Sequence, residues 1–291
     1  MERERRNKRL RSLVRAVYLS VTAAVVLVLL WGSFVEPNLL VVRRYTIPVR
    51  GLPPELENTR ALVIGDTHFG GSFLERRRME RILRCALNEK PDTIWLLGDY
   101  AAAGAAHGTR AMSDEDFIRF FSALKAPLGT YAVLGNHELW FGRKKMCRLL
   151  ERSGVKMIEN KVVMLGGKLA LTGLTDRSTF PGENRKPPLL RFDHDPLIIL
   201  SHKAAMVKNI KGDFSGPVVA ADTHGGQIRI PGRGSLKKFL AGEKEEPSRL
   251  FRRWGRNVFL TFGTGGHRLS FRLNCPPEIA VLTLKRGKAE I

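Results

Sequence analysis

Five short polar clusters in a chain of 291 residues carry groups suited to holding metal ions. In order they are Asp66-Thr67-His68, Gly98-Asp99, Gly135-Asn136-His137-Glu138, Ser201-His202 and Asp222-Thr223-His224-Gly225-Gly226. Divalent ions that work as a hydrolytic pair need oxygen and imidazole donors, with one carboxylate reaching both ions. A lone Asp or His in a loop is usually structural or solvated, so no single cluster carries the reading. Five together point to one shared site. The flanking glycines permit tight turns, which let the side chains converge.

Each cluster directly follows a short apolar run. ALVI precedes Gly65-Asp66, TIWLL precedes Gly98-Asp99, and YAVL precedes Gly135-Asn136-His137. LIIL precedes Ser201-His202, and PVVAA precedes Asp222. Short bounded runs rich in Val, Ile and Leu predict buried strands. The clusters then fall at the strands' carboxyl ends, where open α/β sheets collect their ligands. Helical spacing places a helix over 74–90, with Met79, Ile82, Leu83, Ala86 and Leu87 as its apolar face. Ser113 with Asp116 gives a capping-box-like start to a second helix, running to about residue 125. A third over Arg143–Arg152 can stop at Gly154. VVML, LALTGL, VFLTF and IAVLTL make the second half richer in strands. The expected fold class is a layered α/β sandwich.

The N-terminus is different in kind. Residues 1–15 hold seven basic residues and two acids, and 16–35 hold no charge at all. Twenty helical residues reach about 30 Å, the hydrocarbon thickness of a bilayer. No A-x-A cleavage site follows, so an uncleaved single-pass anchor is favoured over a signal peptide. The basic flank predicts a cytoplasmic N-terminus and an exocytoplasmic large domain. Residues 36–58, with Pro37, Pro48, Pro53 and Pro54, read as a linker, leaving 59–291 as the catalytic domain. The formal charge of +21 attracts polyanions. No helix-turn-helix, zinc-finger or aromatic RNA-binding motif appears, so nucleic acid is not an expected partner. Cys85, Cys147 and Cys275 are too few and too scattered for a disulfide framework.

With those clusters in hand, the chain resembles the calcineurin-like metallophosphoesterase superfamily from about residue 61 to 284. Gly263-Thr264-Gly265 and Pro277-Glu278-Ile279 resemble the bacterial membrane-associated branch that includes UDP-2,3-diacylglucosamine pyrophosphohydrolase-like enzymes. The resemblance implies an α/β/β/α sandwich and two divalent ions, Mn²⁺ foremost, with Mg²⁺, Fe²⁺ and Zn²⁺ as alternatives. It implies that Asp66, His68 and His224 hold the first ion, that Asp99 bridges, and that Asn136, His202 and residue 222 hold the second. His137 then donates a proton to, or stabilises, the leaving oxygen, while a metal-bridging hydroxide attacks phosphorus. One position departs from the pattern: the family's Gly-His-Thr-His-Gly-Gly is here Ala221-Asp222-Thr223-His224-Gly225-Gly226. Aspartate is a harder ligand than histidine and shifts preference towards Mn²⁺ or Mg²⁺. The alternative is a weak second site and a slow or inactive protein.

Through the same resemblance the expected partners are the bilayer of a bacterial cell membrane and a phosphorylated, lipid-like substrate. UDP-2,3-diacylglucosamine, in lipid A biosynthesis, is the specific candidate; another lipid or cell-wall phosphoester is the alternative. His267 and Arg272 are weaker candidates for contact with a substrate phosphate. Glu138 reads either as an orienter of His137 or as a surface acid. His107 reads as exposed and His194 as a turn residue. In 232–256, basic residues interleave with Leu236, Phe239, Leu240, Leu250, Phe251 and Trp254, which suits a membrane interface or a packed helical excursion.

Overall fold

The computed structural model describes residues 2–70, 75–102, 112–176, 190–243, 249–266 and 271–287. Two six-stranded sheets face each other. The first runs, in spatial order, Val41–Val49, Glu278–Arg286, Arg60–Ile64, Thr93–Leu96, Thr130–Ala132 and Lys156–Met157. The second runs Leu250–Arg253, Arg256–Leu260, Val218–Ala220, Leu197–Ser201, Leu169–Leu174 and Val162–Leu165. Neighbours are parallel except where Glu278–Arg286 meets Arg60–Ile64 and at the two outer hairpins of the second sheet.

Alternation along each strand explains the layering, because successive side chains leave opposite faces. Ala61, Val63, Trp95, Leu97, Tyr131 and Val133 point between the sheets, where they meet Leu171, Ile198, Leu200, Val219 and Phe259. Leu62, Ile64, Ile94, Leu96, Ala132 and Leu134 point the other way, under the helices Glu75–Asn88, Asp114–Ala123 and Arg143–Arg152. The outer face of the second sheet packs on the 3₁₀ turn Ala204–Asn209 and on Phe192 and Phe214. This is the expected α/β/β/α sandwich with a thin fourth layer.

The helices start and stop where their end residues dictate. Ser113 Oγ accepts from Asp116 N at 3.1 Å, which satisfies an otherwise orphaned N–H in the first turn. Arg143–Arg152 ends before Gly154, whose φ of 77° continues no helix. In Glu75–Asn88 the buried face is Met79, Ile82 and Ala86, with Leu83 packed beside it. Leu87, expected on that face, is 48% exposed.

The segment 36–58 is a correction to the linker expectation. Val41–Val49 pairs in parallel with Glu278–Arg286 over its whole length, and Ile47 and Val49 are fully buried. Pro48 is tolerated because the strand lies at the sheet's edge. Ahead of it, an α-helix over Glu2–Leu30 continues through a π-helical turn, Trp31–Val35, and a 3₁₀ turn, Glu36–Asn38. The helix is long and apolar enough to cross a membrane. Its foot is docked on the sandwich. Gly32 O accepts from Arg272 N at 2.9 Å. The buried Glu36 carboxylate accepts from Trp31 Nε1 at 2.9 Å, Asn274 N at 3.0 Å and Cys275 N.

Candidate metal centre

The carboxyl ends of the central strands of both sheets meet at one edge, and the five polar clusters leave from there. Asp66, His68, Asp99, Asp222 and His224 all have left-handed backbone, with φ of 54°, 43°, 54°, 74° and 50°. Such conformations cost about 1 kcal/mol or more each for a residue with a side chain, and persist where the surroundings impose them. Here the strands impose them: Asp66 N donates to Gly98 O at 3.0 Å, and His68 N donates to Asp99 O at 3.0 Å. Glycine is required at two points of close approach. A Cβ at Gly135 would collide with Asp99 Oδ1, and one at Gly263 with Asp66 Oδ2.

Three overlapping donor groups result: Asp66, His68 and His224; His68, Asp99 and His137; Asp66, Asp99 and His202. Within each group the ligand atoms lie within 4.8 Å of one another, and all of these residues are buried. Asp99 Oδ2 is 3.4 Å from His202 Nε2, 3.6 Å from His68 Nε2 and 3.8 Å from His137 Nε2. His68 and His224 bring their Nε2 atoms to 3.2 Å. The outward nitrogens are committed elsewhere. His202 Nδ1 lies 2.8 Å from Leu97 O, and His224 Nδ1 lies 3.4 Å from Gly265 O. Those contacts place the proton on Nδ1 and leave Nε2 as the inward donor.

Asp222, the position that departs from the family pattern, joins the same cluster. Its Oδ1 is 3.3 Å from His202 Nε2, and its N–H donates to Asp66 Oδ2 at 3.2 Å. Its side chain is 34% exposed, so it forms the open side of the centre. Asn136 is half-buried, one residue before His137, whose N–H donates to Asp99 Oδ1 at 2.8 Å. The His137 ring packs edge-on against His68 and Trp140.

The electrostatics suit cations. Burial pushes the Asp66 carboxyl up to about 8; His202 opposes, and Asp99 and Asp222 add to the rise. Burial and the neighbouring His224 hold His68 well below its ordinary range. Burial, then the Arg272 charge, pushes His224 down to about 3. Both imidazoles are therefore neutral and ready to donate lone pairs. Burial acts against the charged forms of Asp99 and His202, but their mutual attraction lowers the first and raises the second. Asp66 Oδ1 is buried with no hydrogen-bond partner among the described residues. An orphaned oxygen in a set of three carboxylates and four imidazoles fits divalent ions.

Two expectations change. Arg272 does not reach for a substrate phosphate: it is 1% exposed, and its guanidinium donates to the carbonyls of Phe262, Gly265 and Cys275. It clamps the Gly-rich loop against Asp66, where Gly265 N donates to Asp66 O at 2.7 Å. Glu138 is neither a surface acid nor an orienter of His137. It is fully buried and accepts from Asp99 N at 2.9 Å, Tyr100 N at 2.8 Å and Gly135 N at 2.7 Å. It thus ties two ligand-bearing turns together. Its spacing of three from Gly135 was the available signal, since a carboxylate there can turn back onto the preceding N–H groups. His194, expected in a turn, is exposed and lies outside any helix, strand or assigned turn. His107 and His267 lie outside the described residues.

Residues 59–221, more than half of the chain, match the calcineurin-like phosphoesterase family, and the chain belongs to it. It is a metallophosphoesterase. It is similar to an uncharacterized metallophosphoesterase of Aquifex aeolicus, at 26% identity, covering 87% of this chain and 95% of that one. It is similar to phosphodiesterase YaeI of Escherichia coli, at 25% identity, covering 77% and 82%. It is also similar to UDP-2,3-diacylglucosamine pyrophosphatase LpxG of Chlamydia trachomatis, at 23% identity, covering 92% and 96%.

Proposed function

We propose that the chain hydrolyses a phosphodiester or pyrophosphate bond in a membrane-borne substrate, with UDP-2,3-diacylglucosamine as the specific candidate. The observation that carries the reaction class is the set of three overlapping donor groups at one sheet edge. In this reading Asp66, His68 and His224 would hold one divalent ion, Asn136, His202 and Asp222 would hold a second, and Asp99 would be shared between them. When bound, such ions polarise phosphoryl oxygens and lower the pKa of coordinated water. The chain's own residues do the rest. His137 gives its proton to the leaving oxygen as the ester bond breaks. Asp99 Oδ2 lies 3.8 Å from its Nε2. Glu138 and the Arg272 clamp hold the donors in place, so little reorganisation accompanies charge build-up.

The similarity to LpxG and the apolar N-terminal helix support a lipid-linked substrate. The helix serves as a single-pass anchor, with its basic flank in the cytoplasm. If a topology reporter places the catalytic domain outside the cytoplasm, where that substrate is made, another lipid or cell-wall phosphoester takes its place as the candidate. The test is hydrolysis of UDP-2,3-diacylglucosamine against bis-p-nitrophenyl phosphate, with Mn²⁺ supplied, beside a C-terminal topology reporter. Release of UMP at a rate well above the simple diester supports the specific substrate. Turnover of the diester alone leaves the reaction class standing and removes UDP-2,3-diacylglucosamine.

A further inference from the structure

A cavity of about 250 Å³ opens beside the metal centre, with Asp222 in its wall. Five cations line it, and Asp222 is the one acid among the described lining residues. Two of the cations answer acids behind the wall: Lys203 pairs with Asp176 at 3.1 Å, and Arg249 with Glu278 at 3.1 Å. Arg229, Lys238 and Arg253 complete the set. The rest of the lining is largely apolar, and two of its rings lie under guanidinium groups. Arg229 sits 4.8 Å from the centre of Phe262, and Arg253 4.8 Å from that of Trp254. Stacking of this kind holds a guanidinium plane in place without consuming all its donors. The wall therefore suits an anionic group attached to an apolar body. A volume of about eight waters admits a headgroup fragment, and leaves no room for long acyl chains.

Where those chains would lie follows from the next element. The short helix Leu236–Leu240 carries Lys238 into the cavity wall and leaves Phe239 44% and Leu240 74% exposed. Lys237 and Arg233 flank this tip. The tip is stitched to the foot of the N-terminal helix in few steps. Leu236 N donates to Ile228 O at 2.8 Å, and Arg229 N to Leu273 O at 2.9 Å. Asn274 Nδ2 donates to Arg229 O at 3.2 Å, while Asn274 N donates to Glu36 Oε2 at 3.0 Å. These bonds tie the tip and the cavity's Arg229 to the foot of the apolar helix, the part of the domain next to any bilayer that helix enters. Bulky apolar residues among lysine and arginine are what an anionic lipid surface binds.

We propose that this cavity is a headgroup site for an anionic amphiphile supplied by the bilayer, with Phe239 and Leu240 as the rim that touches lipid. The site rests on the phosphoesterase reading. It adds a second anionic group, beyond the scissile phosphoryl, to what the substrate must carry.

The test uses the full chain in a nonionic detergent, with bis-p-nitrophenyl phosphate as reporter substrate. Dihexanoyl phosphatidic acid and inorganic phosphate are compared as inhibitors, because phosphate engages the metal centre without needing the cavity. The lipid is expected to inhibit at least tenfold more tightly than phosphate, about 1.4 kcal/mol. In Lys238→Gln/Arg253→Gln the lipid constant rises about tenfold while the phosphate constant moves less than about threefold. Phe239→Ser/Leu240→Ser moves the lipid constant in the same selective way. The proposal is overturned if lipid and phosphate inhibit alike, or if the variants shift both constants together. Absence of any diester hydrolysis would sink the phosphoesterase reading instead. The same two constants, measured by calorimetry, would still decide the cavity.

Discussion

Asp222 sits between two demands: it offers a hard oxygen to the centre, and it adds a negative charge to a cluster that already holds Asp66 and Asp99. Its Oδ1 faces His202 Nε2 at 3.3 Å, so the side chain already points into the donor cluster. Asp222→His is therefore expected to keep turnover within about threefold while moving the preferred ion from Mn²⁺ towards Zn²⁺. Metal titrations of diester hydrolysis read both. A large gain in activity for the histidine form would mean that aspartate weakens the site. Glu138 makes a different kind of commitment, accepting from three main-chain N–H groups that no water reaches. Each donor orphaned in Glu138→Ala costs about 1–3 kcal/mol, so a loss of at least about 3 kcal/mol is expected in urea unfolding. A loss under about 1 kcal/mol would show that the turns are held by something else.

At the scale of elements, the strand Thr93–Leu96 supplies the largest side chain between the sheets. Trp95 fills the space between the sheets, fully buried, and its Nε1 has no hydrogen-bond partner among the described residues. Trp95→Ala should cost about 3–5 kcal/mol through the cavity it leaves. Trp95→Phe loses volume but also removes an orphaned donor, so a cost below about 1.5 kcal/mol is expected in the same assay. The foot of the N-terminal helix is the second element under load. Glu36→Ala orphans Asn274 N and the neighbouring Cys275 N, whose residue also bonds His224 O through Sγ. The variant should bind Mn²⁺ more weakly, by about tenfold in calorimetry, with Glu36→Gln recovering part of the loss. Equal affinity in all three forms would detach the helix foot from the centre. These elements were legible in the sequence to different degrees. Runs such as ALVI and LIIL announce buried strands because both faces are covered. Ser113 announces a helix start because its hydroxyl has a local task. Val41–Val49 stayed hidden because prolines surround it and only one edge of it is paired. The buried roles of Glu36 and Glu138 stayed hidden because sequence spacing does not tell which distant N–H groups a buried carboxylate will meet.

The whole molecule joins an apolar helix, a strongly basic surface and one buried cluster of acids and imidazoles. The excess of lysine and arginine behind the +21 net charge lies outside the donor cluster, while the cluster itself gathers Asp66, Asp99 and Asp222. That contrast draws anionic substrates towards a site whose own carboxylates require cations. Chelation should therefore cost stability as well as activity. Dialysis against EDTA is expected to lower the melting temperature by about 5 °C or more, with recovery on adding Mn²⁺. An unchanged melting curve would mean that the acids are balanced without metal. The most direct measurement counts metal on the purified full chain by plasma mass spectrometry and follows bis-p-nitrophenyl phosphate hydrolysis in the same samples. About two ions per chain are expected, falling towards one or none in Asp99→Asn with turnover down at least about a hundredfold. Hydrolysis that persists in the metal-free chain, or an Asp99→Asn protein with full metal and full turnover, would contradict a shared two-ion centre.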